Sequence, residues 1–191
     1  MKRPCSLALV ILFGWGCLAP AAAEEAASLR LIPFPKKIEL KPGEFTLKGR
    51  LVLFCSDSLG DAGVATIVEE IKRAGMQPPE TRRAPVGDGL HTLVLCRPRT
   101  EKITAEFSPR LVRPAKPGHY ILEVGPGAVA AAAYDAAGLL YAAQTVVQLI
   151  RANRRGDSLP CVEIADHPSL RWRCFQDDMT RGPSSTLATL K

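Results

Sequence analysis

The sequence predicts an α+β fold, and two features of its middle part predict it. First, an apolar run at 51–55, an amphipathic helix pattern at 61–74 and a second apolar run at 92–96 form a strand–helix–strand unit, which is expected to be right-handed. Second, a hairpin-like connection at 125–127 joins two further stretches that we predict as strands. Near residue 170 the sequence predicts the start of a second architecture, a (β/α)8 barrel.

The amino-terminal part of the mature chain is predicted to be extended. Pro33 and Pro35 exclude a helix from 31–40, because proline lacks a backbone N–H and restricts the residue before it. Residues 41–44 are predicted as a turn, and a strand resumes at 45–47.

The strand–helix–strand unit follows from its hydrophobic patterns. The runs at Leu51–Cys55 and 92–96 are continuously apolar, which is typical of strands covered on both faces. Between them, apolar residues recur at helical spacing in 61–74, and Gly75 can end that helix. The apolar positions are Val64, Ile67, Val68 and Ile71. Two stretches are predicted as loops, 77–89 and 97–116.

The alanine-rich stretch Ala128–Ala133 sets two arguments against each other. Alanine has the highest intrinsic helix propensity, which favours one helix from 128 to 150. The Gly-Pro-Gly sequence at 125–127 instead favours a hairpin that pairs this stretch with the strand at Tyr120–Val124. We predict a strand, with the helix starting near Asp135. The predicted buried face of that helix comprises Leu139, Ala143, Val146, Val147 and Ile150.

The last part of the chain has the pattern with which a (β/α)8 barrel begins. Asp166 and Pro168 mark a short linker, because the residue before proline is pushed out of the helical region. The large apolar and aromatic residues of 170–179 predict a strand that carries a pair of aspartates near its carboxyl end. Turn and helix-capping residues follow at 183–186. Such barrels place their functional groups at the carboxyl ends of their strands.

The first 23 residues have the three parts of a secretory signal peptide. A Lys-Arg pair follows Met1, residues 7–18 are apolar, and alanines at 21–23 form a small-residue cleavage site. The apolar segment is too short for a stable membrane span. We therefore expect an exported protein, either periplasmic or extracellular. The alternative is a lipoprotein anchored through Cys17, which the nearby Trp15 disfavours.

The charge distribution argues against a nucleic-acid partner. The formal net charge is +6, but the basic residues are scattered among acidic ones, whereas a nucleic-acid-binding surface would cluster them. We therefore expect no nucleic-acid partner.

Cysteines and histidines show no zinc-ligand spacing. Cys55 and Cys96 each end an apolar run; they either form a disulfide or stay reduced as small buried hydrophobes, and we expect the second.

Two groups of residues resemble motifs of a known family, glycoside hydrolase family 20, the β-N-acetylhexosaminidases. The spacing of Asp166, Pro168, Trp172, Arg173, Asp178 and Arg181 is similar to the start of that family's catalytic barrel. The family's amino-terminal domain has an opening, a Gly-Tyr strand and a Gln-Thr helix that are similar to Pro33, Pro35, Gly118, Tyr120, Gly138, Tyr141, Gln144, Thr145 and Gln148. The sequence departs from the family pattern at Leu170, Cys174, Ala142 and Val146.

The resemblance implies a domain order. Residues 1–23 are the signal peptide and 24–165 are an α+β accessory domain, zincin-like, with a mixed β-sheet and helices packed on one face. Residues 166–191 are the truncated start of the catalytic (β/α)8 barrel. Trp172 is expected to pack in a core, and Tyr141 and Gln144 to make core or interface contacts.

The resemblance also implies a function. The full enzyme removes terminal N-acetylglucosamine or N-acetylgalactosamine from glycans by substrate-assisted retaining hydrolysis, an exception to the usual two-carboxylate scheme, and it needs no metal or cofactor. The family's catalytic Asp-Glu pair lies in a His-x-Gly-Gly-Asp-Glu run on a later barrel strand. This run is absent from the sequence, so the chain as given is expected to be inactive.

Within the present chain, the resemblance assigns substrate binding to Arg173 and a supporting role to Asp178 and Arg181. Arg173 is implied to hold hydroxyls of the terminal sugar; the alternative is a structural ion pair with Asp177 or Asp178. The two aspartates are not an acid–base pair, because adjacent residues of a strand face opposite sides of the sheet.

Two other functions remain open from the sequence. The domain either precedes a different glycoside hydrolase barrel or is a stand-alone secreted binding module. A downstream catalytic motif of another type would establish the first, and the second requires 170–191 to fold back as a finished terminus. The sequence does not specify the sugar, the linkage or the oligomeric state.

Overall fold

A computed structural model of the chain describes residues 26, 28–55, 61–83, 91–96, 114–170, 172, 174 and 186. The elements in these residues are strands β1 (Lys37–Thr46), β2 (Leu51–Cys55), β3 (Glu80–Arg82), β4 (His91–Cys96), β5 (Tyr120–Val124), β6 (Ala128–Ala133) and β7 (Ser158–Asp166), with helices α1 (Asp61–Arg73) and α2 (Ala136–Gln148). A π-helical turn, Leu149–Asn153, continues α2. None of the helices in the described residues combines the length and the hydropathy that a transmembrane helix needs.

The strands form one mixed sheet in the order β1-β7-β5-β6-β4-β2-β3. β4 lies parallel to β2 and β6, and β2 lies parallel to β3. β5 is antiparallel to β6 and β7, and β7 is antiparallel to β1. The predicted strand–helix–strand unit is confirmed, because β2 and β4 are parallel and α1 connects them in sequence. The predicted hairpin of β5 with the alanine-rich β6 is confirmed as well, and so is the α+β class.

Both helices pack on the same face of the sheet. Ile67 of α1 and Leu139 of α2 belong to one buried cluster with Leu53 and Leu93 of the sheet. A smaller cluster comprises Phe54, Val94, Ala130 and Ala132, which alternate with the residues of the first and so occupy the opposite face. Burial of both faces of these strands agrees with their continuously apolar sequences.

The start and the buried face of α2 are also confirmed. Asp135 caps the helix, since its side chain accepts a hydrogen bond from the Gly138 N–H at 2.8 Å. The five residues predicted to be buried, Leu139, Ala143, Val146, Val147 and Ile150, are at most 3% exposed.

The predicted turn at 41–44 is wrong, because β1 continues through it. The pairing of β1 with β7 shifts between Leu40 and Glu44, which is a bulge rather than a reversal. Gly43 adopts a φ of 104°, a conformation that favours glycine. β1 lies at the edge of the sheet, where a proline that cannot donate a ladder hydrogen bond is tolerated.

Two strands were not predicted. β3 occupies three residues within the predicted loop 77–89 and forms the other edge of the sheet. β7 lies between β1 and β5, and its Leu159, Val162 and Ile164 are fully buried. In β2, Cys55 is buried and lies opposite Leu95, so the register does not align it with Cys96.

Candidate functional site

The residues predicted to bind and support the substrate, Arg173, Asp178 and Arg181, lie outside the described residues, as do Asp177 and most of the predicted barrel strand. Trp172, expected in a core, is 79% exposed in this chain. Within the described residues, the candidate site is the end of the sheet where β7 finishes at Asp166 and the chain continues to Leu170. We call this region the exit end.

Tyr120 and Thr145 connect β5 to α2 at the exit end. The Tyr120 hydroxyl and Thr145 Oγ1 are 2.7 Å apart in a buried contact. Burial raises the pKa of Tyr120 to about 12, so the phenol stays neutral near pH 7. This pair is a buried structural hydrogen bond rather than an acid–base group.

Gln148 and Asn153 hold the amino-terminal segment against the end of α2. The Ile32 N–H donates to Gln148 Oε1 at 2.7 Å, and Gln148 Nε2 donates to the Ile32 carbonyl at 3.0 Å. Asn153 makes the same pair of bonds with Arg30. The Arg30 N–H donates to Asn153 Oδ1 at 2.7 Å, and Asn153 Nδ2 donates to the Arg30 carbonyl at 3.1 Å. Two side-chain amides thus replace a neighbouring strand for residues 30–32, and they place the Pro33–Pro35 motif at the exit end.

Asp135 and two glycines bring the start of β5, the start of α2 and the outgoing chain together. The Asp135 carboxylate accepts hydrogen bonds from the Gly118 N–H at 3.1 and 3.2 Å, in addition to that from Gly138. A Cβ on Gly138 would lie 2.8 Å from the His119 carbonyl oxygen, and a Cβ on Gly118 would lie 2.8 Å from Pro168. These close approaches explain why glycine occupies both positions.

A cleft of about 300 Å³ lies between the amino-terminal segment and the outgoing chain. Residues 31–36 form one wall, 166–170 form another, and Tyr141, Gln144 and Gln148 project from α2. Among the described residues that line it, Asp166 is the only carboxylate, and it accepts a hydrogen bond from the Lys36 N–H at 3.3 Å. The described lining therefore has no pair of carboxylates for glycosidic bond cleavage.

His119 and His167 lie beside the cleft with their ring centroids 5.9 Å apart. Burial is the main cause that lowers the pKa of His119, and the charges of His167 and Lys116 add to it. His119 Nδ1 accepts a hydrogen bond from the Ala115 N–H at 3.1 Å, which requires the neutral ring. In the described part of the chain, no group of three His, Cys, Asp or Glu side chains is placed to hold a metal ion.

The exit end is thus built for packing and positioning. The family-like motifs of the sequence include the two glycines, Gln144, Gln148 and Thr145. The sequence pattern does not indicate Phe34, Lys36 and His167 as site residues, because the cleft forms only where 31–36 and 166–170 lie beside α2.

Comparison with known proteins gives one family match. The model of glycosyl hydrolase family 20, domain 2, matches residues 28–167. No curated protein matches the sequence.

Solved structures with the same fold include CpGH84D, with a TM-score of 0.63, 13% identity, and coverage of 76% of this chain and 25% of that one. The GH20 exo-β-N-acetylglucosaminidase from Vibrio harveyi has a TM-score of 0.55 and 21% identity. The match covers 75% of this chain and 20% of that one. The β-N-acetylhexosaminidase from Bacteroides fragilis NCTC 9343 has a TM-score of 0.54 and 24% identity, and the match covers 74% of this chain and 25% of that one. The chain spans a fifth to a quarter of the length of these proteins, and at these identities the similarity establishes the fold alone.

Proposed function

The chain belongs to glycoside hydrolase family 20, and from this premise we propose that it is the amino-terminal part of an exported exo-β-N-acetylhexosaminidase. The family match over 28–167 is the observation that carries the proposal. Seven of the residues that resemble the family's amino-terminal motifs line the same cleft at the exit end, which supports the proposal; they are Pro33, Pro35, Tyr120, Tyr141, Gln144, Thr145 and Gln148.

In this proposal, the full-length enzyme releases terminal N-acetylglucosamine or N-acetylgalactosamine from a glycan. The solved relatives from Vibrio harveyi and Bacteroides fragilis carry the names of such enzymes, which supports the substrate class. Export follows from the signal sequence predicted at 1–23. In this proposal the enzyme binds no nucleic acid and has no stable membrane span.

The proposed chemistry is retaining hydrolysis assisted by the substrate. The 2-acetamido oxygen attacks the anomeric carbon while the leaving oxygen is protonated, and a downstream Asp-Glu pair orients the acetamido group and supplies that proton. Arg173 contributes the fixed donors of a guanidinium to sugar hydroxyls, and Asp178 and Arg181 hold it in place.

The test uses the full-length protein and two aryl substrates. Hydrolysis assisted by the acetamido group predicts turnover of 4-nitrophenyl N-acetyl-β-glucosaminide and none of 4-nitrophenyl β-glucoside, which lacks that group. Arg173→Ala should lower kcat/KM by about 10- to 100-fold, the loss expected for a hydrogen bond from a charged group. Arg154→Ala removes an exposed arginine that precedes the start of β7, whereas the exit end lies where β7 finishes, and it should leave kcat/KM unchanged. Equal hydrolysis of both substrates would contradict the proposal.

A second candidate function comes from the similarity to CpGH84D. In that candidate, the same accessory fold precedes a glycosidase domain of another family. The family match and the spacing of Arg173, Asp178 and Arg181 favour the first candidate. A different catalytic motif downstream of Lys191 would establish the second.

A further inference from the structure

Two histidines face each other at the ends of the neighbouring strands β5 and β7. His119 directly precedes β5, and His167 directly follows β7. Both side chains are half-buried, and their rings meet edge to face at an interplanar angle of 81°. Histidine is the side chain that ordinarily changes its charge between about pH 5 and 8. The pair therefore places two titratable rings between separate parts of the fold.

His119 closes a short turn as a hydrogen-bond acceptor. Its Nδ1 accepts from the Ala115 N–H at 3.1 Å, and its backbone N–H donates to the Lys116 carbonyl at 3.0 Å. An imidazole nitrogen accepts a hydrogen bond only when it carries no proton. Protonation of Nδ1 replaces this acceptor with a donor that faces the Ala115 N–H. The turn 115–119 then loses the side-chain bond that closes it.

His167 differs, because it can take up a proton and keep its own hydrogen bond. Its Nδ1 lies 3.1 Å from the Pro168 carbonyl oxygen. Since a carbonyl oxygen only accepts, Nδ1 is the donor in this contact. An added proton therefore goes to Nε2 and leaves the bond intact. The charge then acts on His119 over the 5.9 Å between the two ring centroids.

Other charged groups next to the turn act on the His119 ring in both directions. Within the described chain, the charged or titratable neighbours of the turn are Lys116, Tyr134, Asp135, Asp166 and His167. Burial disfavours a charged His119 ring most strongly, His167 and Lys116 add to this effect, and Asp166 opposes it. In sum, the pKa of His119 lies below its ordinary 6.5. Tyr134 and Asp135 bond to the backbone of the turn, through the Tyr134 N–H and the Asp135 carboxylate.

The turn 115–119 packs tightly against the outgoing chain. A Cβ on Gly118 would lie 2.8 Å from Pro168 and 3.3 Å from the Tyr141 ring. Turn, outgoing chain and α2 thus meet without spare room at this glycine. Because Gly118 and Pro168 are so close, a turn that opens also loosens the contact that fixes 166–170.

We propose that His119 and His167 form an acid-sensitive latch between the turn 115–119 and the outgoing chain 166–170. While His119 is neutral, the turn is closed and holds Pro168. In acid, the protonated His119 gives up the bond from Ala115, its charged neighbours repel it, and both segments loosen.

The sign of the pH dependence follows from linkage between protonation and opening. The pKa of His119 is lower in the folded chain than its ordinary 6.5. The latch is therefore fully stabilised above pH 6.5, and its stabilisation is lost as the pH falls through the folded-state pKa. The inference goes beyond the proposed hydrolase function and does not depend on it, because it concerns the described residues alone.

Hydrogen–deuterium exchange of the full-length protein, read by mass spectrometry between about pH 5 and 8, tests the latch. After correction for the pH dependence of chemical exchange, the backbone amides of 115–119 and 166–170 should exchange about tenfold faster in acid, the factor that one lost hydrogen bond gives. Exchange at the imidazole C2 carbon reports the titration of His119 itself. This titration should lie below that of a histidine in an unstructured peptide.

Three variants and a control separate the latch from general acid sensitivity. His119→Asn keeps an acceptor near the position of Nδ1 but takes up no proton, so its turn should stay protected throughout. His167→Gln and Lys116→Ala each remove a repulsion, so each should raise the pKa of His119. Lys48→Ala removes an exposed lysine beyond the end of β1 that pairs with the start of β7, and it should change neither quantity.

The inference is overturned if exchange in 115–119 is independent of pH in the wild type, or if it rises equally in wild type and His119→Asn. It is also overturned if His119 titrates like the unstructured peptide, or if His167→Gln and Lys116→Ala leave its titration unchanged. Should His119→Asn fail to fold by circular dichroism, the other two variants decide, because both keep the His119 acceptor.

Discussion

An ion pair between the buried Glu70 of α1 and the partly exposed Arg151 holds α1 to the π-helical turn after α2. Its removal should destabilise the domain in a pH-dependent way. Glu70 is 5% exposed. Arg151 donates through Nε to Glu70 Oε1 at 3.1 Å and through a second nitrogen to Oε2, while Arg73 lies 3.5 Å away. The hydrogen bond from Arg151 lowers the pKa of Glu70 from its ordinary 4.5, although burial opposes this shift.

The size of the effect follows from which partner is removed. Arg151→Ala leaves a buried carboxylate with Arg73 alone. Loss of one partner of a buried pair costs about 3–5 kcal/mol, but the Arg151 side chain is 55% exposed and water will replace part of it. We therefore expect about 2 kcal/mol, within the range of a hydrogen bond to a charged group. Glu70→Gln keeps one acceptor oxygen and should cost about 1 kcal/mol.

The pH dependence has a definite sign. Because the pKa of Glu70 is lower in the folded than in the unfolded chain, its contribution is complete above pH 4.5 and is lost as the pH falls through the folded-state pKa. The stability difference between wild type and Glu70→Gln should therefore shrink in acid.

Urea unfolding at pH 7 and at successively lower pH values measures this difference. Lys72→Ala is the control, because its pair with Glu69 is half-exposed or more on both sides and should contribute less than about 0.5 kcal/mol. The reasoning is refuted if Arg151→Ala costs no more than Lys72→Ala at pH 7, or if the difference for Glu70→Gln is the same at every pH.

Three further substitutions test the exit end by urea unfolding. Gly138→Ala should cost about 1–3 kcal/mol, because its Cβ would lie 2.8 Å from a carbonyl oxygen, whereas Gly127→Ala meets nothing within 4 Å and should stay within about 0.5 kcal/mol; equal costs would contradict the packing. Tyr120→Phe should cost about 1 kcal/mol through the lost contact with Thr145. Since the pKa of Tyr120 is raised from 10.0 to about 12, the wild type should also lose stability more steeply than this variant as the pH rises above 10; parallel curves would contradict this. Asp135→Ala removes the cap of α2 and should cost about 1 kcal/mol, and a neutral result would show that the cap is dispensable.

The parts of the fold that the sequence predicts are those with a strong local signal. Leu51–Cys55 is continuously apolar and appears with the predicted bounds. Ala128–Ala133 forms a strand although alanine favours helix, because pairing with β4 and β5 supplies the ladder bonds on both sides. A tertiary context signalled only by the preceding hairpin therefore overrides the propensity.

The parts that the sequence does not predict depend on distant partners. β7 contains a proline and a glutamate, and only its place between β1 and β5 makes it a central strand. The bulge in β1 resembles a turn locally, and it is distinguished from one by Pro160 and its neighbours in β7. The cleft at the exit end also depends on distant partners, since its walls come from residues 31–36, from α2 and from 166–170. The roles of Arg173, Asp178 and Arg181 stay predictions.

Sequencing the transcript beyond the codon for Lys191 tests whether the chain is the amino-terminal part of a hexosaminidase. We expect an open frame long enough for a (β/α)8 barrel, containing a His-x-Gly-Gly-Asp-Glu run that supplies the catalytic pair. A stop codon directly after Lys191, or a long frame with a catalytic motif of another glycosidase type, would contradict it.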